Sequence, residues 1–230
     1  MEKAAALRQT KLFSELDAGE LASIGEYAFE KFFPTGKMLF VAGEESRGLF
    51  VVVSGRLRAF QQNSEGREQV MHVDTAGATI GEVPVFDGGP YPASVIAEED
   101  THTLFIPKQE MQQFCLDHPH FAVRALKLMA ERVRSHASLV RVLSLHEVGQ
   151  RLALFFLTEA RKNPRQEEQD VTFRLTLSNH EIATRIGSVR DVVSRALVRL
   201  QREGLIVAKN RKITIVDRRA LEHYAMSPLH

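Results

Sequence analysis

The chain has 230 residues, which is enough for two domains of ordinary size. Its 30 Lys and Arg side chains nearly balance 29 Asp and Glu, so a protein with a strongly basic or acidic tail is excluded. The charge is divided unevenly. Residues 1–144 carry 15 basic and 19 acidic side chains, whereas residues 145–230 carry 15 and 10. This asymmetry indicates an acidic front part joined to a basic module suited to nucleic acid.

The cysteine count and the hydropathy of the chain indicate its cellular compartment. The single cysteine, Cys115, excludes an intrachain disulfide framework and a cysteine metal cluster. No apolar run approaches the roughly 20 residues needed to cross a bilayer. The first 28 residues are amphipathic with mixed charge, unlike a signal peptide. We therefore expect a cytoplasmic protein that makes no membrane contact.

The front part of the chain has the pattern of a β-rich domain. Residues 4–29 have a helical pattern, and we expect them to pack on the outside of this domain. From Phe32 to Pro107 short apolar segments alternate with glycine and polar turns. The predicted strands cover residues 38–41, 49–53, 57–60, 69–73, 95–97 and 103–106. Strands at this spacing predict a β-roll or jelly roll.

A long helix is predicted over residues 119–144. Seven positions recur at alternating spacings of four and three: Ala122, Leu126, Met129, Val133, His136, Val140 and Leu143. Such a repeat is typical of a seam between two helices, so we predict a parallel homodimer. The alternative is a stripe that packs on its own domain. His136 is the polar residue of the seam, where polar side chains set register or bind a ligand.

Residues 177–200, LSNHEIATRIGSVRDVVSRALVRL, have the pattern of two short helices joined by a glycine turn. Ser178 and Glu181 form a capping box at the start of the first helix. Gly187 ends that helix because glycine adopts the required left-handed turn without a Cβ penalty. Ser188 is placed to cap the second helix. This arrangement predicts a helix-turn-helix.

The second helix of this motif has two faces. Its apolar face contains Val189, Val193, Ala196, Leu197 and Leu200. Arg190, Asp191, Ser194 and Arg195 share the opposite face. Arginine can donate to guanine O6 and N7, a carboxylate can accept from cytosine N4, and serine can contact a base or a phosphate. The face is therefore predicted to read the DNA major groove; the alternative is a solvated face on a packing helix.

A basic hairpin follows the helix-turn-helix. Two apolar segments, at residues 205–207 and 213–216, flank the polar tip Lys209, Asn210, Arg211 and Lys212. Together the elements predict a winged helix whose wing cations neutralise phosphates. The predicted DNA contacts are Ser178, Asn179, Ser188, Arg190, Asp191, Ser194, Arg195, Arg199, Lys209, Arg211 and Lys212.

The order of β-roll, long helix and winged helix resembles the catabolite activator and fumarate–nitrate reduction regulator (Crp/Fnr) family of bacterial transcription factors. The resemblance covers nearly the whole chain and is carried by Gly36, Gly43 and Gly55, by Gly66-Arg67-Glu68, by Gly81-Glu82 and by residues 177–200. It implies an α+β fold, with a sensing domain at 1–118, a dimerisation helix at 119–144 and a DNA-binding domain at 145–230. It also implies a homodimer on a pseudo-palindromic operator.

The resemblance further implies an effector pocket formed by Gly81, Glu82, Val83, Pro92, Ala93, His136 and Ala137. In cyclic-nucleotide-binding members the residue at Gly81 offers a backbone N–H and the carboxylate at Glu82 takes the ribose hydroxyl. The arginine and serine that bind the phosphate align with Pro92-Ala93, and proline has neither charge nor N–H. His136 and Ala137 replace the adenine contacts. We therefore expect no cyclic AMP binding in the usual mode.

The identity of the effector stays open. The iron–sulfur type of the family needs an N-terminal cysteine cluster that this chain lacks. A haem-gated sensor is an alternative, with His72, His102 and His136 as candidate axial ligands, each of which has an ordinary structural interpretation as well. An unidentified metabolite, the absence of any effector, and a cyclic-nucleotide-binding regulatory protein that acts on a protein partner also remain open.

The sequence does not have the pattern of a jelly-roll enzyme. A metal-dependent jelly-roll enzyme needs clustered ligands, whereas His72, Glu82 and His102 are scattered in the sequence. No nucleophile elbow or phosphate loop is present, so we expect no catalytic residues, no metal site and no enzyme activity.

The polar segment 161–170 resembles in position the surface that touches RNA polymerase in relatives. Its alternative is a plain solvated loop.

Overall fold

The computed structural model describes residues 3–161 and 171–227. These residues form two compact units: the first contains residues 3–62 and 70–136, and the second contains residues 63–69, 137–161 and 171–227. Both units combine helices with β-sheet, so the predicted α+β class is confirmed. The division falls inside one long helix, between His136 and Ala137. The domain bounds drawn from the sequence stay a prediction.

Eight strands form the β-roll in the front part of the chain. They are β1 (Phe29–Phe33), β2 (Met38–Phe40), β3 (Gly48–Ser54), β4 (Arg56–Gln62), β5 (Glu68–Thr75), β6 (Thr79–Ile80), β7 (Ser94–Ala97) and β8 (Thr101–Pro107). One sheet has the order β1-β8-β3-β6 and the other has the order β2-β7-β4-β5. Apolar side chains such as Phe50, Leu57 and Val95 form one core of this roll.

The six strands expected from the sequence are present, and two more were missed. The strand β1 pairs with β8 from Phe29↔Phe105 to Phe33↔Thr101, but four of its five residues are exposed, so no alternation of apolar and polar residues marks it. The strand β6 has two residues, too few for any pattern. The glycine turns are confirmed where φ is positive; Gly55, with φ of 91°, separates β3 from β4.

The first helical segment of the front part differs from the prediction. The predicted helical segment 4–29 is two helices, α1 (Lys3–Arg8) and α2 (Ala18–Glu26). Asp17 and Glu20 form a capping box that starts α2 as a separate helix. The others are α3 (Glu82–Asp87), α4 (Lys108–Asp117) and α5 (Pro119–Leu145). A second core lies beneath them and contains Leu104, Met111 and Phe121.

The second unit has the order expected of a winged helix. Its helices are α6 (Val148–Arg161), α7 (Asn179–Ile186), α8 (Arg190–Arg202) and α9 (Arg218–Met226). Its strands are β9 (Val171–Arg174), β10 (Ile206–Lys209) and β11 (Lys212–Ile215), in the sheet order β10-β11-β9. The strand β9 was not expected from the sequence. The core of this unit contains Phe156, Ile182, Val193, Leu200 and Ile213. Among all described helices, none is long and apolar enough to span a membrane.

Candidate nucleic-acid interface and effector pocket

The predicted helix-turn-helix is present as α7 and α8. The Ser178 hydroxyl accepts from the Glu181 backbone N–H at 3.2 Å, and the Glu181 carboxylate accepts from the Ser178 N–H at 2.7 Å, so the capping box is confirmed. Gly187 ends α7 with φ of 66°, as predicted. The capping role expected for Ser188 is wrong. Its own N–H still bonds Ala183 of the preceding helix, so α8 begins one residue later, with Val189 as its N-cap.

Arg151 of α6 holds the turn between the two helices. Its Nη1 donates to the carbonyls of Ile186 at 2.7 Å and of Gly187 at 2.8 Å. These are carbonyls at the end of α7, which a helix leaves without an internal partner. Burial lowers the pKa of Arg151. No local pattern indicates this role, because the two partners lie 35 and 36 residues away in the chain.

The polar face of α8 points away from the core. Arg190, Asp191 and Arg195 are exposed, and Ser194 is half-buried, while Val193 and Leu200 on the other face are buried. Val198 belongs to the same exposed face and is 54% exposed. It was missed, although its place four residues after Ser194 puts it on this face. An apolar side chain here is suited to the methyl group of thymine.

Asn179 and Ser194 contact each other across the two helices. The Asn179 side-chain amide donates to the Ser194 hydroxyl at 3.0 Å, and this hydroxyl donates to the Arg190 carbonyl at 3.0 Å. Both residues were predicted as DNA contacts. In the structure these polar atoms join α7 to α8 by hydrogen bonds within the protein.

Arg199 is engaged inside the protein as well. Its Nε donates to Glu203 at 2.8 Å, and its guanidinium lies over the Tyr224 ring of α9 at 5.9 Å. The hydrogen bond to Glu203 raises the pKa of Arg199. Since Arg199 lies nine positions after Arg190, the helical period puts the two on opposite sides of α8. Arg199 stays a predicted DNA contact, and it lies on a different side of α8 from Arg190.

The wing is a tight hairpin with a basic tip, as predicted. Lys209 pairs with Lys212, and the two residues between them, Asn210 and Arg211, have φ of 50° and 59°. Two positive φ values define a type I′ turn, which matches the twist of paired strands and favours Asn and Gly. All four residues are exposed. The Arg211 carbonyl accepts from the Leu175 N–H at 2.8 Å, so the tip is fixed from one side.

The first unit contains a cavity of about 490 Å³. Six of the seven predicted effector residues line it: Gly81, Glu82, Val83, Pro92, Ala93 and His136. Ala137, the seventh, is not among the lining residues. Further lining residues were missed, among them Phe40, Tyr91, Met129, Arg132 and Val133. The rings of Phe40 and Tyr91 stack at 3.6 Å with an interplanar angle of 8°.

A buried ion pair occupies one side of this cavity. Glu82, which is 2% exposed, accepts from Arg132 at 2.9 Å and from the Thr79 hydroxyl. Arg132 also donates to the Thr79 carbonyl. Burial raises the pKa of Glu82, and the charge of Arg132 opposes that rise. The carboxylate expected to meet a ribose hydroxyl is therefore already bonded within the protein. The Pro92 carbonyl accepts from the Gln61 side chain.

Two of the three candidate haem ligands lie near each other, and the third lies elsewhere. His72 and His136 line the cavity with ring centroids 6.2 Å apart, and His72 Nδ1 lies 2.6 Å from Asp74. His102 lies on β8, stacks on Phe32 at 4.8 Å and does not line the cavity. In residues 3–161 and 171–227 no cluster of three or more His, Cys, Asp or Glu could hold a metal ion.

The predicted seam lies along α5. Leu126, Val133 and Val140 are 68%, 67% and 63% exposed. His136 is exposed as well, and Met129 and Leu143 are half-buried. Of the predicted polymerase-contacting segment, residues 162–170 lie outside the described residues.

Comparison with known proteins identifies both parts of the chain. Residues 30–118 match the family of cyclic nucleotide-binding domains, and residues 150–224 match the Crp-like helix-turn-helix domain. The second match covers α7, α8 and the wing, where the exposed basic face lies. The first covers the β-roll strands and most residues that line the cavity.

Individual relatives match over most of the chain. The chain is 26% identical over 190 residues to the fumarate and nitrate reduction regulatory protein of Escherichia coli, covering 83% of this chain and 76% of that protein. It is 23% identical over 219 residues to the CRP-like cAMP-activated global transcriptional regulator of Mycobacterium tuberculosis, covering 95% and 98%. A Crp/Fnr-family structure from Eubacterium rectale has a TM-score of 0.77 at 24% identity, covering 96% and 100%. These findings and the geometry above establish that the chain belongs to the Crp/Fnr family of DNA-binding transcription regulators, with a cyclic-nucleotide-binding-like sensory domain.

Proposed function

We propose that this protein is a homodimer that recognises an inverted-repeat operator through α8. The exposed polar face of α8 carries the proposal, because a capping box, the Gly187 turn and Arg151 fix that face in place. Arg190, Asp191 and Arg195 contact base edges or adjacent phosphates, and Val198 contacts a thymine methyl group. Lys209, Arg211 and Lys212 of the wing neutralise phosphates on any sequence.

A second copy of the chain is the partner of α5. Leu126, Val133 and Val140 are each more than 60% exposed and recur at seven-residue intervals. A continuous apolar stripe of this kind is costly in water and is covered when two helices pack as a parallel coiled coil. Such a dimer presents two copies of α8, with the half-site spacing of about 34 Å known for helix-turn-helix dimers such as the catabolite activator protein.

The cavity of the first unit is the effector site, and cyclic AMP in the usual mode is not its ligand. The mycobacterial relative is named for activation by cAMP, but here Pro92-Ala93 replaces the arginine and serine expected at the phosphate. The carboxylate of Glu82, which would bind the ribose, is already paired with Arg132. A haem-gated sensor is a second candidate because His72 and His136 line the cavity.

Activation of transcription normally requires contact with RNA polymerase. We place RNA polymerase among the partners because the relatives are transcription regulators, and residues 161–170 are the proposed contact surface. Since the proposed target is genomic DNA, the protein acts in the cytoplasm of a bacterial cell.

Two measurements test the proposal together. Selection from a randomised duplex library should return an inverted repeat, and light scattering on the purified protein should give the mass of two chains. An asymmetric single half-site, or a monomer that binds the selected duplex with full affinity, would contradict the dimeric arrangement. An absorbance spectrum with a Soret band would decide in favour of the haem-gated sensor.

A further inference from the structure

We propose that the cavity of the first unit binds a neutral, mainly apolar small molecule rather than a nucleotide or another anion. The proposal rests on the proposed function, in which this cavity is the effector site. It adds the chemical class of the ligand. A volume of about 490 Å³ lies within the range of about 300–1,000 Å³ that is typical of small-molecule sites.

The walls of the cavity are largely hydrocarbon. The apolar side chains that line it come from both sheets, from α3, from α5 and from the segment before β7. Among them are Phe40, Ile80, Val83, Tyr91, Met129 and Val133. The stacked rings of Phe40 and Tyr91 belong to this apolar lining. An apolar body that enters the cavity is stabilised in proportion to the apolar surface that it removes from water.

The charges on the lining do not favour an anion. Among the lining residues that the structure describes, Arg132 is the one Lys or Arg side chain, whereas two carboxylates, those of Glu82 and Asp87, belong to the same lining. The Arg132 Nη2 donates both to Glu82 and to the Thr79 carbonyl, and its Nη1 lies 3.5 Å from His72 Nε2. An anionic ligand that drew Arg132 away from these partners would leave Glu82 buried without its cation.

An imidazole ring of the lining can orient a ligand. His136 and His72 both line the cavity, and the two ring nitrogens of His72 already lie near Asp74 and Arg132. Partial burial lowers the pKa of His136, and the neighbouring His72 and Arg132 lower it further. A neutral imidazole has one donor and one acceptor nitrogen. The cavity therefore fits an apolar body with one or two uncharged polar groups.

A pair of fluorescent probes tests the charge preference directly. N-phenyl-1-naphthylamine is neutral, and 8-anilinonaphthalene-1-sulfonate has the same ring skeleton with an added sulfonate. We expect the neutral probe to bind at one per chain and the sulfonate to bind at least ten-fold more weakly. Cyclic AMP should not displace the neutral probe. Equal binding of the two probes, or displacement by cyclic AMP, would overturn the proposal.

Two variants establish where the probe binds. The double variant Pro92→Arg with Ala93→Ser adds a cation to the lining and should narrow or reverse the ten-fold preference. Ala93→Trp places a large ring into the cavity and should remove binding of the neutral probe, whereas Lys37→Trp, at an exposed position outside the lining, should leave it unchanged. Circular dichroism checks that each variant is folded. Unchanged probe binding in folded Ala93→Trp would place the probe elsewhere and refute the assignment.

The two proposals fail in different ways. Operator binding is measured on the same preparations without any probe. If the wild-type protein binds its operator but not the neutral probe, the apolar ligand class is wrong and the proposed DNA-binding function stands. If it binds the probe and no duplex from the library, the ligand class stands and the proposed operator function fails.

Discussion

Asn179 donates a hydrogen bond of 3.0 Å to the hydroxyl of Ser194, and this bond joins the first helix of the helix-turn-helix to the second. The hydroxyl in turn donates to the Arg190 carbonyl one turn earlier. Both Asn179 and Ser194 are half-buried, so the bond between them is partly shielded from water. Because Arg190 and Ser194 share the proposed DNA-facing side of α8, this chain of hydrogen bonds fixes the angle at which that side is presented.

A double-mutant cycle tests this contact. Asn179→Ala and Ser194→Ala should each lower the free energy of unfolding by about 0.5–1.5 kcal/mol, the usual net value of a hydrogen bond. The double variant should lose less than the sum of the two, because the second substitution finds the bond already broken. Urea denaturation measures all three, with His180→Ala as an exposed control on α7. Strict additivity would show that the two side chains act independently.

Arg190 and Arg199 should behave differently although both are arginines of α8. Arg190→Ala should cost about 1–3 kcal/mol per half-site and relax the base preference at one position. Arg199→Ala should keep the preference at every position, because Arg199 is held by Glu203 and Tyr224. Binding to a randomised duplex library distinguishes them. If Arg190→Ala lowers total affinity and leaves every preference intact, Arg190 is a phosphate anchor and not a base reader.

The wing is expected to act through charge alone. Arg211→Ala or Lys212→Ala should weaken binding to all sequences alike and lower the slope of log affinity against log salt by about one unit. Arg211→Gly is a useful companion because the Arg211 φ of 59° suits glycine. It should lose the same affinity as Arg211→Ala with less cost to stability. Titrations at several salt concentrations provide the measurement, and a change in base preference would argue against a purely electrostatic wing.

The apolar stripe of α5 predicts how the proposed dimer can be broken. Val133→Asp or Val140→Asp would bring two carboxylates together in a dry seam, at a cost of several kcal/mol. Each variant should elute as a monomer and lose specific DNA affinity. Ser138→Asp, on another side of α5, should remain dimeric. Light scattering with size-exclusion chromatography measures the mass. A dimer of unchanged strength in both valine variants would mean that another surface holds the two chains.

Glu82 should make stability depend on pH. Burial raises its pKa above the ordinary value of 4.5, so the folded state holds the proton more tightly than the unfolded state does. Its contribution is therefore fully present below that ordinary value and is lost as the pH rises through the raised one. Relative to Glu82→Gln, the wild-type free energy of unfolding should decline as the pH rises above 4.5. Denaturation at acidic and neutral pH tests this, and a rise would mean that Arg132 outweighs burial.

Most of the fold class and the helix-turn-helix could be predicted from local patterns. Short apolar segments between glycines predicted six strands, since segment length and turn chemistry are local properties. The capping box of Ser178 and Glu181, the Gly187 turn and the basic hairpin are local as well, because their partners lie within a few residues. The missed strand β1 shows the limit: it pairs with β8, far along the chain, and its exposed residues carry no pattern of burial.

Only the tertiary structure shows which polar side chains are already bonded within the protein. Asn179, Ser194 and Arg199 looked equivalent to Arg190 and Arg195 in the sequence, yet their polar atoms are bonded within the protein. Arg132 had no signal as a pocket residue, because its partners Thr79 and Glu82 lie 53 and 50 positions earlier in the chain. Hydrogen-bond partners and burial depend on which distant segments meet. A residue's type and spacing can therefore predict the face on which it lies, whereas tertiary contacts determine whether its charge is neutralised there.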